Sequence, residues 1–214
     1  MTILVFAFLG FFCGFVCSFG VDGVTMLIRA NAAQRNKFAS GTLSVQKIML
    51  INRIGAAIMF MSIGLIVDVG ISITAVTLLI SVSFIFLGVF FILKFLHVES
   101  SLKSGQISGV CQNNSHKLLI GYPYIFNCLG LALPVTSAIL YPDFRATLIQ
   151  SGFLLNSIAT LLNVYIIEGR FIGLIEDKKN DEAMLYAAMI GISRGVILIV
   201  NGLLLGFSGW IMIF

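Results

Sequence analysis

Proline is scarce in this chain, with three residues in 214, and charge is scarce too, at 10% Asp, Glu, Lys and Arg. So few charges exclude a water-soluble domain, whose surface alone would need about a quarter of its residues charged. The lack of proline, and of short segments that alternate polar and apolar residues, excludes a porin-type barrel. Histidine occurs only twice, at His97 and His116, which leaves little for histidine-based catalysis or metal binding. The four cysteines (Cys13, Cys17, Cys111 and Cys128) show no metal-ligand spacing and read as small apolar fillers. No phosphate-binding Gly-rich loop, no paired intramembrane aspartates and no His/Glu metalloprotease motif are found. "GFSG" (206–209) matches a short serine-protease pattern, but both histidines fall near the other end of the expected bundle. The chain is therefore expected to be no enzyme, with no cofactor, no metal and no nucleic-acid partner.

What the chain has in abundance is apolar sequence: 59% hydrophobic residues and a mean hydropathy of +1.07. A domain of this length has too little interior to bury so much, so the lipid bilayer must solvate the rest. The expected fold is all-α, a polytopic integral membrane helical bundle in one domain. Apolar windows of about 20 residues place six helices at about 2–28, 40–67, 71–96, 118–141, 145–167 and 183–213. The first window carries no Lys or Arg before Arg29 and exceeds the apolar core of a signal peptide, so it is expected to be a mature helix. A Ser-, Gly- and Asn-rich flexible loop at about 98–117 separates two three-helix halves.

Basic residues fall on one side of that arrangement. Arg29, Arg35, Lys37, Lys94, Lys103, Lys117, Arg170, Lys178 and Lys179 flank three connections, whereas the other side carries Asp68, Asp143 and Arg145. Positive residues stay in the cytoplasm, which places both termini outside.

Several charges lie where hydrocarbon solvates them worst. "GVDGVTMLIRA" (20–30) holds Asp22 and, seven residues on, Arg29. Helices 1 and 2 form a hairpin centred near Lys37, and Asp22 and Arg53 lie about 15 residues to either side, at matching depth. Asp22 is therefore expected to approach Arg53 or Arg29. Arg194 lies deep in helix 6, with apolar sequence on both sides and no acid in the remaining spans to neutralise it. Helix 5 repeats Gly152, Asn156, Thr160 and Asn163 at helical spacing, and Asn127 and Asn201 add amides. Such amides serve as glue between helices or line a hydrated path. Arg29, Arg53 and Arg194 with Asn156 and Asn163 are expected to bind an anionic substrate in an electropositive cavity open to the cytoplasm. Guanidinium forks suit phosphate in particular. Asp22 is assigned to coupling or charge balance. A packing role for the Asp22–Arg53 pair is the plainer alternative.

Two blocks resemble a known family. "VDGVTMLIRANAAQRNKFASGTLSVQKIMLINRIGAAI" (21–58) resembles the N-terminal hairpin of the Amj-type lipid II flippases. Asp22, Arg29, the Arg35–Lys37 turn, Ser44 and Arg53 take the places of that family's acid, arginine, basic turn, serine and deep second arginine. "NSIATLLNVYIIEGRFIGLIEDKKNDEAMLYAAMIGISRGVILIVNGLL" (156–204) is similar to its C-terminal part, where an Asn-rich helix leads to a helix with a central arginine. "IIEGR" stands in place of the family's aspartate–proline turn. The resemblance implies transport of the undecaprenyl-diphosphate-linked peptidoglycan precursor, lipid II, from the inner to the outer leaflet of the bacterial cytoplasmic membrane. The residues by themselves leave two other readings open, a six-helix small-solute permease or exporter and a non-transporting envelope-assembly scaffold. A homodimer is expected, and small-xxx-small spacing such as Gly202–Gly206 serves either between copies or within one chain.

Overall fold

The structure, a computed structural model, describes residues 2–35, 37–101 and 120–211. Among these there is no strand. The helices are α1 (Thr2–Phe15), α2 (Val21–Gln34), α3 (Phe38–Asp68), α4 (Ile73–Ser101), α5 (Tyr122–Leu140), α6 (Arg145–Leu162), α7 (Gly169–Glu176) and α8 (Asn180–Ile211). Two of the expected helices are compound. A π turn at Val16–Gly20 joins α1 to α2, and a second, at Asn163–Glu168, joins α6 to α7. The expected loop at 98–117 falls largely on residues 102–119, outside the described residues, as does the very end of the sixth window.

Among the described residues four helices are long and apolar enough to cross a membrane: Gly41–Asp68, Thr74–Val98, Leu154–Glu176 and Asn180–Ser208. The first rod, bent by 42° between Leu4–Gly20 and Val24–Gln34, makes a fifth if counted as one span. The fifth window was expected to end at 167, but its helix runs on to Glu176. The reason is visible in "FIGLI" (171–175), whose Phe171 and Leu174 are buried rather than solvated.

Local chemistry sets the corners. Gly70 ends α3 at φ +82°, a conformation that costs glycine nothing. Two residues later the Ser72 hydroxyl accepts the Ala75 N–H at 3.3 Å and caps α4. Pro123 sits in the first turn of α5, where no helical donor is lost. Between α7 and α8, Lys178 takes φ 58° and Lys179 N–H donates to the Leu174 carbonyl.

The helices associate as three antiparallel pairs, and close backbone approach defines each. Lipid tails are as apolar as side chains, so helix pairing in a bilayer depends on packing rather than on the hydrophobic effect. α1 crosses α3 where Gly14 faces Gly55, and a Cβ on Gly14 would lie 2.6 Å from the Gly55 carbonyl oxygen. α4 and α8 meet at Gly88 and Gly195, each too close to the other's carbonyl for any side chain. One end of that seam seats Gly191 on the Phe95 ring, and the other holds a Ser81 Oγ–H to Gly202 carbonyl bond of 2.6 Å. The Gly202–Gly206 spacing is thus used within the chain, against Ser81 of α4. α5 packs on α6 through Gly130 and Gly152. Pro134 removes the donor that the Gly130 carbonyl would have had, and Gly152 leaves room for that carbonyl.

α8 is the central post, with 61% of its span buried, against 22% for the α6–α7 rod. Phe11, Phe15 and Phe19 stack along α1 and its π turn and close on Phe84 of α4. The outer surface also carries large apolar side chains: Phe6, Met61, Phe86 and Tyr165 are each at least 70% exposed. Such a surface is stable only in lipid.

Filling a seam should be costly. Gly195→Leu should destabilise the bundle by about 1–3 kcal/mol through overpacking, whereas Gly64→Ala, at a position open to space, should be neutral or stabilising. Thermal unfolding of both variants in detergent micelles checks the contrast.

Candidate functional site

A cleft of about 390 Å³ lies between the α1–α3 unit and the α5–α6 pair. Ser18 and Phe19 of the first π turn, Asn52 and Arg53 of α3, Asn127 of α5, and Asn156 and Thr160 of α6 line it, with Met49, Ala56, Met59 and Leu131 as its apolar wall. The first π turn matters here because the extra residue re-aims the helix. It presents Ser18 to the cleft while Phe15 and Phe19 stay in the aromatic stack.

Arg53 stands 12 residues from Gly41 and 15 from Asp68, close to the middle of its span, and its side chain is exposed to the cleft. Among the described residues it has neither an ion-pair nor a hydrogen-bond partner. A guanidinium at mid-membrane costs about 2.5–3.5 kcal/mol on insertion scales unless water or a ligand reaches it. The cleft amides of Asn127 and Asn156 supply a polar wall facing it.

Arg194 is 14 residues from either end of the Asn180–Ser208 span, and only 2% of it is exposed. It donates from a terminal nitrogen to Asn163 Oδ1 at 3.1 Å, and its guanidinium carbon lies 4.1 Å from the centre of the Tyr124 ring. Asn163 and Tyr124 are each about one turn beyond cleft residues, Thr160 and Asn127, so Arg194 occupies the next level below the cleft. Cation–π contact and a charge-assisted hydrogen bond there replace the water that an arginine would otherwise need.

Arg29 forms a third level. Its terminal nitrogen reaches Glu168 Oε2 at 2.5 Å, and its guanidinium lies 5.2 Å from the centre of the Phe171 ring. Both partners are largely enclosed, at 12% and 21% exposure. Toward the same end, Gln34 donates to Asp181 at 2.9 Å, and Asn180 donates to the Ala33 carbonyl at 3.4 Å. These bonds tie the first interhelical turn to the start of α8.

Of the residues expected to bind an anion, Arg53 and Asn156 thus share the cleft. Asn163 is turned to Arg194, and Arg29 is held by Glu168. The Asp22 side chain lies outside the described residues, and with it the expected contact to Arg53 or Arg29. Glu168, the enclosed partner of Arg29, is the residue that sequence reasoning missed. Ending helix 5 at 167 placed it in a cytoplasmic turn, whereas it lies inside the Leu154–Glu176 span as a second intramembrane acid. The apolar run "FIGLI" just beyond it was the available signal. Ser208 of "GFSG" donates to the Leu205 carbonyl at 2.8 Å. It lies at the opposite end of the α4–α8 seam from His97.

Comparison of the chain with protein-family models, with curated proteins and with solved structures finds no match.

Removing one partner of the enclosed pair should cost more than removing both. Glu168→Leu leaves Arg29 uncompensated and should destabilise by about 3 kcal/mol or more, while Arg29→Leu combined with Glu168→Leu should recover most of that. Asn163→Leu should cost about 1.5–3 kcal/mol, the loss of one hydrogen bond to a charged group. Chemical denaturation of the three variants in mixed micelles, with Arg29→Leu alone to complete the double-mutant cycle, measures these costs.

Proposed function

We propose that this chain is a six-helix transporter of the bacterial cytoplasmic membrane that moves an anionic, lipid-linked cargo, lipid II, from the inner to the outer leaflet. The observation that carries the reading is Arg53, uncompensated by any described side chain and facing a polar cleft near the middle of its span. An arginine left open, walled by amides, fits a phosphate-bearing ligand that arrives and leaves. The cargo itself comes from the resemblance of residues 21–58 and 156–204 to the lipid II flippases.

In this reading the diphosphate occupies the cleft at Arg53, with Asn156 and Asn127 on the head sugars. The polyprenyl tail stays in lipid between α3 and α6. The basic turns around Arg35–Lys37 and Lys178–Lys179 face the cytoplasm, which puts both termini outside. Asp22 balances charge when the cleft is empty. The membrane potential favours outward passage of the anion by about 2.3 kcal/mol per elementary charge per 100 mV. A homodimer would use the little-buried face of the α6–α7 rod.

The cleft volume favours a second reading. At about 390 Å³ it falls near the lower end of ligand-pocket sizes and fits a small organic anion without any movement of the hairpins. A small-solute permease would then be the function, with Arg53 in the same role.

Reconstitution with labelled lipid II separates the two. Lipid II should become accessible in the trans leaflet of vesicles containing the protein, and Arg53→Gln should slow this by about tenfold or more. Collapsing an imposed potential should slow it as well. Uptake of a small anion with no lipid II exposure would select the permease, and neither activity would reject transport.

A further inference from the structure

The second π turn holds both enclosed arginines at once. Its first residue, Asn163, bonds Arg194 of α8, and its last, Glu168, bonds Arg29 of α2. Winding decides whether both contacts can exist. An α-helix advances about 100° per residue, so residues five apart diverge by about 140° around its axis. A π turn closes residue i on residue i+5 and returns the fifth residue to about the same face. In the π form Asn163 and Glu168 serve α8 and α2 together, and α winding would turn them about 140° apart.

The turn is also built to be left. Glu168 engages a terminal nitrogen of Arg29, and the Arg29 Nε is buried with no hydrogen-bond partner among the described residues. Immediately beyond lie Gly169 and Gly173, where an added Cβ would meet nothing within 4 Å. The seam glycines are required by close backbones, but these two are not. Each lowers helix stability by about 1 kcal/mol relative to alanine without any packing return. A weak stretch of helix just after a π-wound turn lets the winding change.

We propose that the Asn163–Glu168 π turn is a two-state latch. In the π-wound state it locks the α5–α6 pair to α2 and α8. Rewinding to α turns Glu168 away from Arg29, rotates α7, and frees the α5–α6 pair to swing against the α1–α3 unit across the cleft. The latch holds for any cargo and does not depend on lipid II.

The test is a distance measurement on the full chain in lipid nanodiscs. Spin labels go on Ile172→Cys in α7 and Leu203→Cys in α8, both exposed, with the four native cysteines replaced by alanine. The parent protein should show a major and a minor distance population. Glu168→Gln keeps a hydrogen-bonding side chain but removes the charge, and should raise the minor population by about tenfold. Deleting Val164, an exposed residue, leaves Asn163 and Glu168 four positions apart, one α-helical turn, so both arginine contacts persist with no second winding. That variant should show a single population. If the deletion does not fold, Gly169→Ala with Gly173→Ala, which fills open space, should deplete the minor population instead. A single population in the parent protein that Glu168→Gln leaves unchanged overturns the latch. So do two populations that respond to none of these changes.

Discussion

Guanidinium groups enclosed in an apolar bundle are the constraint around which this structure is arranged. Arg194 lies at the centre of its span and Arg29 is enclosed nearer the end of the first rod. Arg194 is too far from either end to reach an interface by extending its side chain, and Arg29 is enclosed by its neighbours, so the protein supplies solvation to both. It does so from one rod, α6–α7, which provides Asn163 for Arg194 and Glu168 for Arg29. Aromatic faces complete the shells, Tyr124 for one and Phe171 for the other. Arg53 differs from both: it lines the cleft and has no ion-pair or hydrogen-bond partner among the described residues.

Meeting that constraint requires helix axes to be held tightly elsewhere. The glycine seams do this, because a displaced backbone would move the arginines away from their partners. The α4–α8 seam is the most enclosed, and it is a long-range pairing between the third and last of the long rods. It turns α8 into a fixed post from which Arg194 projects. The α5–α6 pair has its own seam, but less of the rod that contains α6 is buried. The cleft opens on the side where packing is thinnest.

The two π turns solve one problem in two places. A polar stripe at positions 152, 156, 160 and 163 follows α-helical spacing, but no residue of that spacing brings Glu168 into line. One extra residue re-phases the helix so that the stripe continues to the acid. At Val16–Gly20 the same device keeps the phenylalanine stack on α4 while turning Ser18 toward the cleft.

Composition alone determined that the chain is helical and membrane-embedded, because no other solvent accommodates 59% hydrophobic residues at 10% charge. Apolar run length located the helices, and intramembrane position singled out Arg29, Arg53, Arg194, Asn156 and Asn163 as residues needing an explanation. Which partner each one meets was not legible. Depth matching along a hairpin gives height in the bilayer but not azimuth, and π turns change azimuth without any mark in the hydropathy. Ending the fifth apolar window at 167 made Glu168 look like a loop residue, and the small residues at 202 and 206 could have faced a second copy. Only the tertiary structure decided that Glu168 answers Arg29 and that Gly202 answers Ser81, because such pairings depend on how helices distant in sequence rotate and pack.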